Sequence, residues 1–187
     1  MNRVHRWYCR SSVWKRRVDN ELLPLALAGA TLDQPALEIG PGPGVTTDYL
    51  SAKIRSLTAL ERDPLLAKKL RERFSSTNVR VIEGDATAMP FESGSFRTVF
   101  CFTMLHHVPS PALQDRVIAE AFRVLAPGGL FVGTDSRMSL RMKVFHLFDT
   151  MVIVEPETFR ERLRRAGFRD ARIQVSGRAF RFCAARS

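Results

Sequence analysis

The sequence predicts an α/β domain built on one mostly parallel sheet. Short apolar runs end in turn residues, helical segments separate those runs, and 187 residues suit a single domain. Residues 1–30 read as one or two helices, broken near Pro24 because proline removes a helical donor. Pro35–Ile39 is a buried strand that runs into glycines, and 45–52 is a helix. Leu57–Glu61 is the second strand. Asp63 and Pro64 suit the N-cap and first turn of the next helix. Val79–Ile82 and Phe96–Phe102 are the third and fourth strands. Ser110 and Pro111 open a helix that runs to Leu125, and Pro127–Gly129 turns into the fifth strand, Leu130–Thr134. A helical apolar stripe follows at Leu140, Val144, Leu147, Phe148 and Met151. Pro156–Ala166 is a helix stopped by Gly167, and Ala171–Val175 with Ala179–Cys183 flank Ser176-Gly177 as a terminal hairpin.

The composition narrows the function classes. Hydrophobic residues make up 45%, enough for a core, yet no run approaches the ~18 apolar residues of a membrane span. The basic N-terminus lacks the apolar stretch of a signal peptide. Cys9, Cys101 and Cys183 are odd in number and far apart, so neither a disulfide framework nor a metal site is expected. These features together predict a cytoplasmic protein. The net charge of +10 fits an acidic partner (nucleic acid, anionic lipid or anionic metabolite) or an arginine-rich proteome. Arg3, Arg6, Arg10, Lys15, Arg16 and Arg17 precede the first acid, and Arg160, Arg162, Arg164 and Arg165 form a second cluster around Glu161.

The first strand ends in Glu38-Ile-Gly40-Pro-Gly42-Pro-Gly44. Glycines let the backbone turn sharply and let a ligand come close. The dinucleotide fingerprint needs G-x-G-x-x-G, and Val45 stands where its last glycine belongs. Pro41 and Pro43 also remove two donors that a pyrophosphate cradle wants. A nucleoside cofactor without phosphate fits better. Glu61 lies 21 residues beyond Gly40, where an acid at a strand end can accept both ribose hydroxyls. Asp85 could accept from an adenine amino group while the Ala86 N–H donates to the ring; the plainer reading is a turn.

The set Leu37-Glu-Ile-Gly-Pro-Gly-Pro-Gly44, Ala59-Leu-Glu61, Glu83-Gly-Asp-Ala86, Pro90-Phe91, Leu105-His-His-Val108 and Arg123-Val-Leu-Ala-Pro-Gly-Gly129 resembles the class I S-adenosylmethionine-dependent methyltransferases, most of all their small-molecule branch. The resemblance covers about residues 30–135. It implies a single Rossmann-like domain: a seven-stranded sheet with an antiparallel last strand and helices on both faces. Residues 1–30 would be a helical lid, 31–135 the cofactor core, and 136–187 the acceptor side. It further implies that S-adenosyl-L-methionine binds with Glu38, Gly40, Pro41, Gly42 and Gly44 at its methionine end. Glu61 would lie at the ribose, Asp85 and Ala86 at the adenine, and Phe102 and Thr103 beside the sulfonium, with Arg62 a further cofactor-binding residue. S-Adenosyl-L-homocysteine would be the product.

Methyl transfer is an in-line displacement, and a base is needed only where the acceptor must lose a proton. His106, His107 and Asp135 leave the fourth and fifth strands at the edge where ligands bind, and are the candidate catalytic residues or, alternatively, structural ones. Similar sugar O-methyltransferases carry histidines and an acid at such positions. Cys101, between Phe100 and Phe102, reads as core. The Asn/Asp-Pro-Pro-aromatic tetrapeptide of base-amine methyltransferases is absent, since its place reads Phe102-Thr-Met-Leu105, and a nucleic-acid partner is not expected. Methylation of a small, hydrophobic acceptor on oxygen or nitrogen is the primary expectation. Val4, Trp7, Tyr8, Ser11, Trp14 and Val18 share one helical face. Trp7, Tyr8 and Trp14 would line the acceptor pocket with Leu140, Val144 and Phe148. The alternatives are a basic aromatic helix on an anionic membrane serving lipid methylation, and a cofactor-binding domain without catalysis.

Overall fold

The computed structural model describes residues 11–138 and 151–187. Helix α1 spans Ser12–Arg17 and is capped by the Ser11 hydroxyl, which accepts from the Trp14 N–H at 3.1 Å. The expected break at Pro24 does not occur. The chain widens into a π turn, Val18–Leu22, and continues as α2, Leu23–Leu27. Proline lacks an N–H and crowds the preceding turn; the π turn, closed by the Leu23 N–H on the Val18 carbonyl, absorbs that misfit without breaking the helix.

The core alternates as its periodicity requires. The elements are β1 (Ala36–Ile39), α3 (Val45–Ser51), β2 (Leu57–Glu61), α4 (Pro64–Arg73), β3 (Val79–Glu83), β4 (Phe96–Phe102), α5 (Pro111–Val124) and β5 (Leu125–Ser136). Both predicted caps form: Asp63 accepts from the Leu65 and Leu66 N–H groups, and Ser110 from Leu113. Each cap is worth about 1 kcal/mol. The fifth strand starts earlier than expected, because Leu125 already pairs with Phe96 before the register shifts. The Pro127–Gly129 turn lies within it. Helix α6 (Pro156–Arg165) ends before Gly167, at φ +105°, and β6 (Arg169–Ser176) and β7 (Ala179–Ala185) form the hairpin.

The seven strands run in the order β3-β2-β1-β4-β5-β7-β6, all parallel except β7. The apolar stripes of strands and helices meet on both faces. On one face Leu37, Ile39, Val99, Cys101 and Phe131 pack against Val117 and Ile118 of α5 and Phe159 and Leu163 of α6. On the other, Ala36, Ala59, Phe100, Phe102 and Val132 pack against Val18, Leu23, Leu50, Ala67 and Leu70. Burying each such side chain contributes roughly 1.5–3 kcal/mol. The chain order reverses between β1 and β4, so the carboxyl ends of β1, β2, β3, β4 and β5 share one edge around the switch point where such sheets bind ligands.

No helix among the described residues is long and apolar enough to cross a membrane. The stripe over 139–150 and residues 1–10 lie outside the described residues.

Candidate functional site

The turn after β1 has Gly40, Gly42 and Gly44 at φ +64°, +57° and +82°, backbone that residues with a β-carbon rarely adopt. A β-carbon at Gly40 would also strike the Met104 side chain, whereas the space above Gly42 is open. The turn is held from the next strand. Glu61 Oε2 accepts from the Gly42 N–H at 2.9 Å and Oε1 from the Asp63 N–H at 2.9 Å. Glu61 is 7% exposed, and burial raises its pKa against the pull of these bonds. The Arg62 N–H also leans on this carboxylate, which keeps acceptor capacity for a further donor.

Glu38 is more deeply enclosed. Its oxygens accept from the hydroxyls of Thr46 and Thr47, the latter at 2.7 Å, which clasps β1 to the first turn of α3. Desolvation pushes its pKa up to about 7; the two hydroxyls oppose the rise, and nearby Glu61 and Asp48 add to it.

After β3, Asp85 builds its own turn. Its Oδ1 accepts the Thr87 N–H and hydroxyl, both at 2.8 Å, and the Arg62 guanidinium lies 3.6 Å from Oδ2. The Thr87 N–H contributes most to lowering its pKa, with burial opposing. Ala86 packs on the core.

The end of β5 brings together two of the three catalytic candidates. Asp135 Oδ1 lies 2.5 Å from His106 Nδ1 and accepts the Ser136 N–H at 2.6 Å, while Oδ2 accepts the His106 N–H at 3.2 Å. His106 is 3% exposed and Asp135 fully buried. His107 packs its ring against His106, centroids 4.2 Å apart. The His106 turn is pinned in place. Its carbonyl accepts from the Val152 N–H at 2.9 Å, and the buried Gln114 amide donates to Leu105 at 3.1 Å and Val152 at 2.7 Å. Thr103, at φ +50°, re-aims the chain as it leaves β4, its N–H on the Thr134 carbonyl at 2.8 Å.

Side-chain alternation separates these groups. Glu38 and Glu61 follow Ala36 and Ala59 on the face of α3 and α4, whereas Asp135 follows Phe131 on the face of α5 and α6. Cys101 is buried in the core, and desolvation raises its thiol well above the ordinary value, as expected for an unreactive group. Trp14 packs against the core on the α3–α4 side. Beside it a cavity of about 500 Å³ opens between Ser11, Lys15, Gly42, Asp48, Lys69 and Arg73. Trp7, Tyr8, Leu140, Val144 and Phe148 lie outside the described residues. The sequence reading missed Thr46, Thr47, Thr87 and Gln114. For Thr87 the Asp-x-Thr spacing of an Asx turn was a usable signal.

Residues 37–133 match the family model described as a methyltransferase domain. The chain belongs to this family. Its motif set and its sheet are those of the class I S-adenosylmethionine-dependent methyltransferases. The chain is 32% identical over 145 residues to a ubiquinone biosynthesis O-methyltransferase of Pseudomonas paraeruginosa, covering 72% of this chain and 60% of that protein. The chain spans between 20% and 60% of the length of the curated relatives it matches. Among solved structures, it resembles the methyltransferase bound to the Trm112 activator of Haloferax volcanii, with TM-score 0.78, 14% identity and coverage of 100% and 98%. A chain named PigF, solved with SAH, gives TM-score 0.71 at 18% identity, covering 93% of this chain and 56% of PigF. At these identities the structures bear on the fold alone.

Proposed function

We propose that the protein transfers a methyl group from S-adenosyl-L-methionine to a hydroxyl on a small, largely apolar acceptor, with His106 as the base and Asp135 as its orienting partner. The observation that carries this reading is the buried His106–Asp135 pair at the carboxyl edge of β5. A carboxylate on Nδ1 fixes the tautomer and orientation of the imidazole, as the partner of a general base does. The hydroxyl acceptor also fits the O-methylation for which the ubiquinone biosynthesis relative is named.

The residues present suit the cofactor. The open space above Gly42 admits a close ligand, the Glu61 carboxylate suits a ribose diol, and Asp85 with Ala86 suits an adenine edge. The cofactor would supply an activated methyl on a sulfonium. The protein's part is to hold the acceptor oxygen in line, exclude water and receive its proton at His106. Incubation with S-adenosylmethionine and apolar phenols is expected to give methyl ethers, read by mass spectrometry. Methylation of amines alone would overturn the proposal.

Glu61→Gln should weaken S-adenosylhomocysteine binding by about 1–3 kcal/mol, since an amide cannot accept at both positions. Calorimetry that finds parental affinity would displace the ribose from Glu61.

A further inference from the structure

The loop after β3, from Gly84 to Gly94, contains no strand or helix. It carries Asp85 and Ala86, so something must fix its shape. Two residues near the end of α5 do so. Glu120 and Arg123 are one turn apart and joined by a two-bond fork: Arg123 Nε donates to Oε1 at 2.7 Å and Nη2 to Oε2 at 2.8 Å. Arg123 chiefly, with the Met89 N–H, holds the Glu120 carboxyl below its ordinary range.

This pair is spent on the backbone of the loop. Glu120 Oε2 accepts the Met89 N–H at 2.7 Å. Arg123 Nη2 donates to the Met89 carbonyl at 3.0 Å and Nη1 to the Phe91 carbonyl at 2.7 Å. Both backbone polar groups of Met89 are thereby engaged, and its side chain is buried. The Ala88 N–H closes a turn on the Asp85 carbonyl at 3.1 Å, immediately before the clamped residue. Fixing Met89 therefore fixes the turn that aims Asp85 and Ala86. A helix-surface ion pair that merely added stability would have no reason to take three backbone groups of one loop.

We propose that Glu120 and Arg123 are positioning residues for the nucleobase end of the cofactor site, acting through Met89 and Phe91 on the Asp85–Ala86 turn. The proposal rests on the reading that adenine lies at that turn. An adenine amino group needs the Asp85 carboxylate and a ring nitrogen needs the Ala86 N–H, each within a few tenths of an ångström. Loosening Met89 should cost base selectivity before it costs the ribose contact at Glu61, which belongs to another strand.

The test compares calorimetric binding of S-adenosylhomocysteine with that of S-inosylhomocysteine, its 6-oxo analogue. The parent is expected to prefer the adenine form by about tenfold or more, the worth of one good hydrogen bond. Arg123→Met should reduce that preference to within about threefold while the protein melts cooperatively. Arg123→Lys, which keeps the charge beside Glu120 but not the fork, should fall between. A cooperatively folded Arg123→Met protein with the parental preference would make the pair purely structural and overturn the proposal. If Arg123→Met does not fold, Glu120→Gln, which retains an acceptor for Met89 but weakens the fork, decides by the same ratio. Asp85→Asn in an otherwise parental protein checks the underlying reading. If it leaves the base preference intact, adenine lies elsewhere and both readings fail; if it abolishes the preference while Arg123→Met does not, only the positioning role fails.

Discussion

Turnover of the His106→Gln protein on a phenolic acceptor is expected to fall about 10²–10⁴-fold, the usual contribution of a positioned base. Affinity for S-adenosylhomocysteine should stay within about threefold, because His106 is held by Asp135, whose strand face is opposite that of Glu38 and Glu61. Asp135→Asn should act in the same direction. The carboxylate receives the His106 and Ser136 N–H groups and faces Nδ1, and an amide cannot accept from all of them. The diagnostic lies in the acceptor. A more acidic phenol needs less help in losing its proton, so the rate lost by His106→Gln should shrink along a series of increasingly acidic phenols. An equal loss across the series would make His106 an orienting group, and normal turnover in both variants would make the pair part of the scaffold.

The second large effect concerns Glu38. Its pKa of about 7 in the folded protein stands above the ordinary carboxyl value because burial disfavours the ionised form. The folded protein then binds more protons than the unfolded chain between about pH 4.5 and 7. Stability from this group is fully present below that window, and is lost as pH rises through it. The loss is about 3 kcal/mol. Glu38→Gln removes the titration while its amide can still pair with the Thr46 and Thr47 hydroxyls. Urea unfolding should therefore show the variant gaining on the parent by about 3 kcal/mol between pH 4.5 and pH 8. Burial raises Glu61 as well, and its repulsion with Glu38 is part of the difference that the comparison reads. A constant difference across this range would place the titration elsewhere.

Much of this site was written in local signals. Asp63-Pro64 and Ser110-Pro111 marked helix starts because capping is a short-range interaction. The glycines, Glu61 and Asp85 were legible from their distance to strand ends. Long-range partnerships were not. Nothing near Glu38 in the chain says that Thr46 and Thr47 would fold back over it, and Glu120–Arg123 reads as an ordinary helix-surface pair until Met89 and Phe91 arrive from 31 and 32 residues away. The His106–Asp135 contact spans 29 residues, so the sequence could name its members and not their pairing. The π turn stayed hidden because proline dictates a missing donor without dictating how the helix accommodates it.

An open sheet also has two rims, and here they are β3 and β6. Each presents backbone donors and acceptors that another chain could pair with, the usual route to edge-to-edge aggregation. Arg80 on β3 and Arg169 and Arg172 on β6 stand exposed along those rims. Glu83 and Asp170 stand beside them, but in a molecule of net charge +10 copies approaching rim to rim still repel. That repulsion reaches about 10 Å at 0.1 M salt and about 3 Å at 1 M. The protein's colloidal stability should therefore depend on ionic strength even where its fold does not.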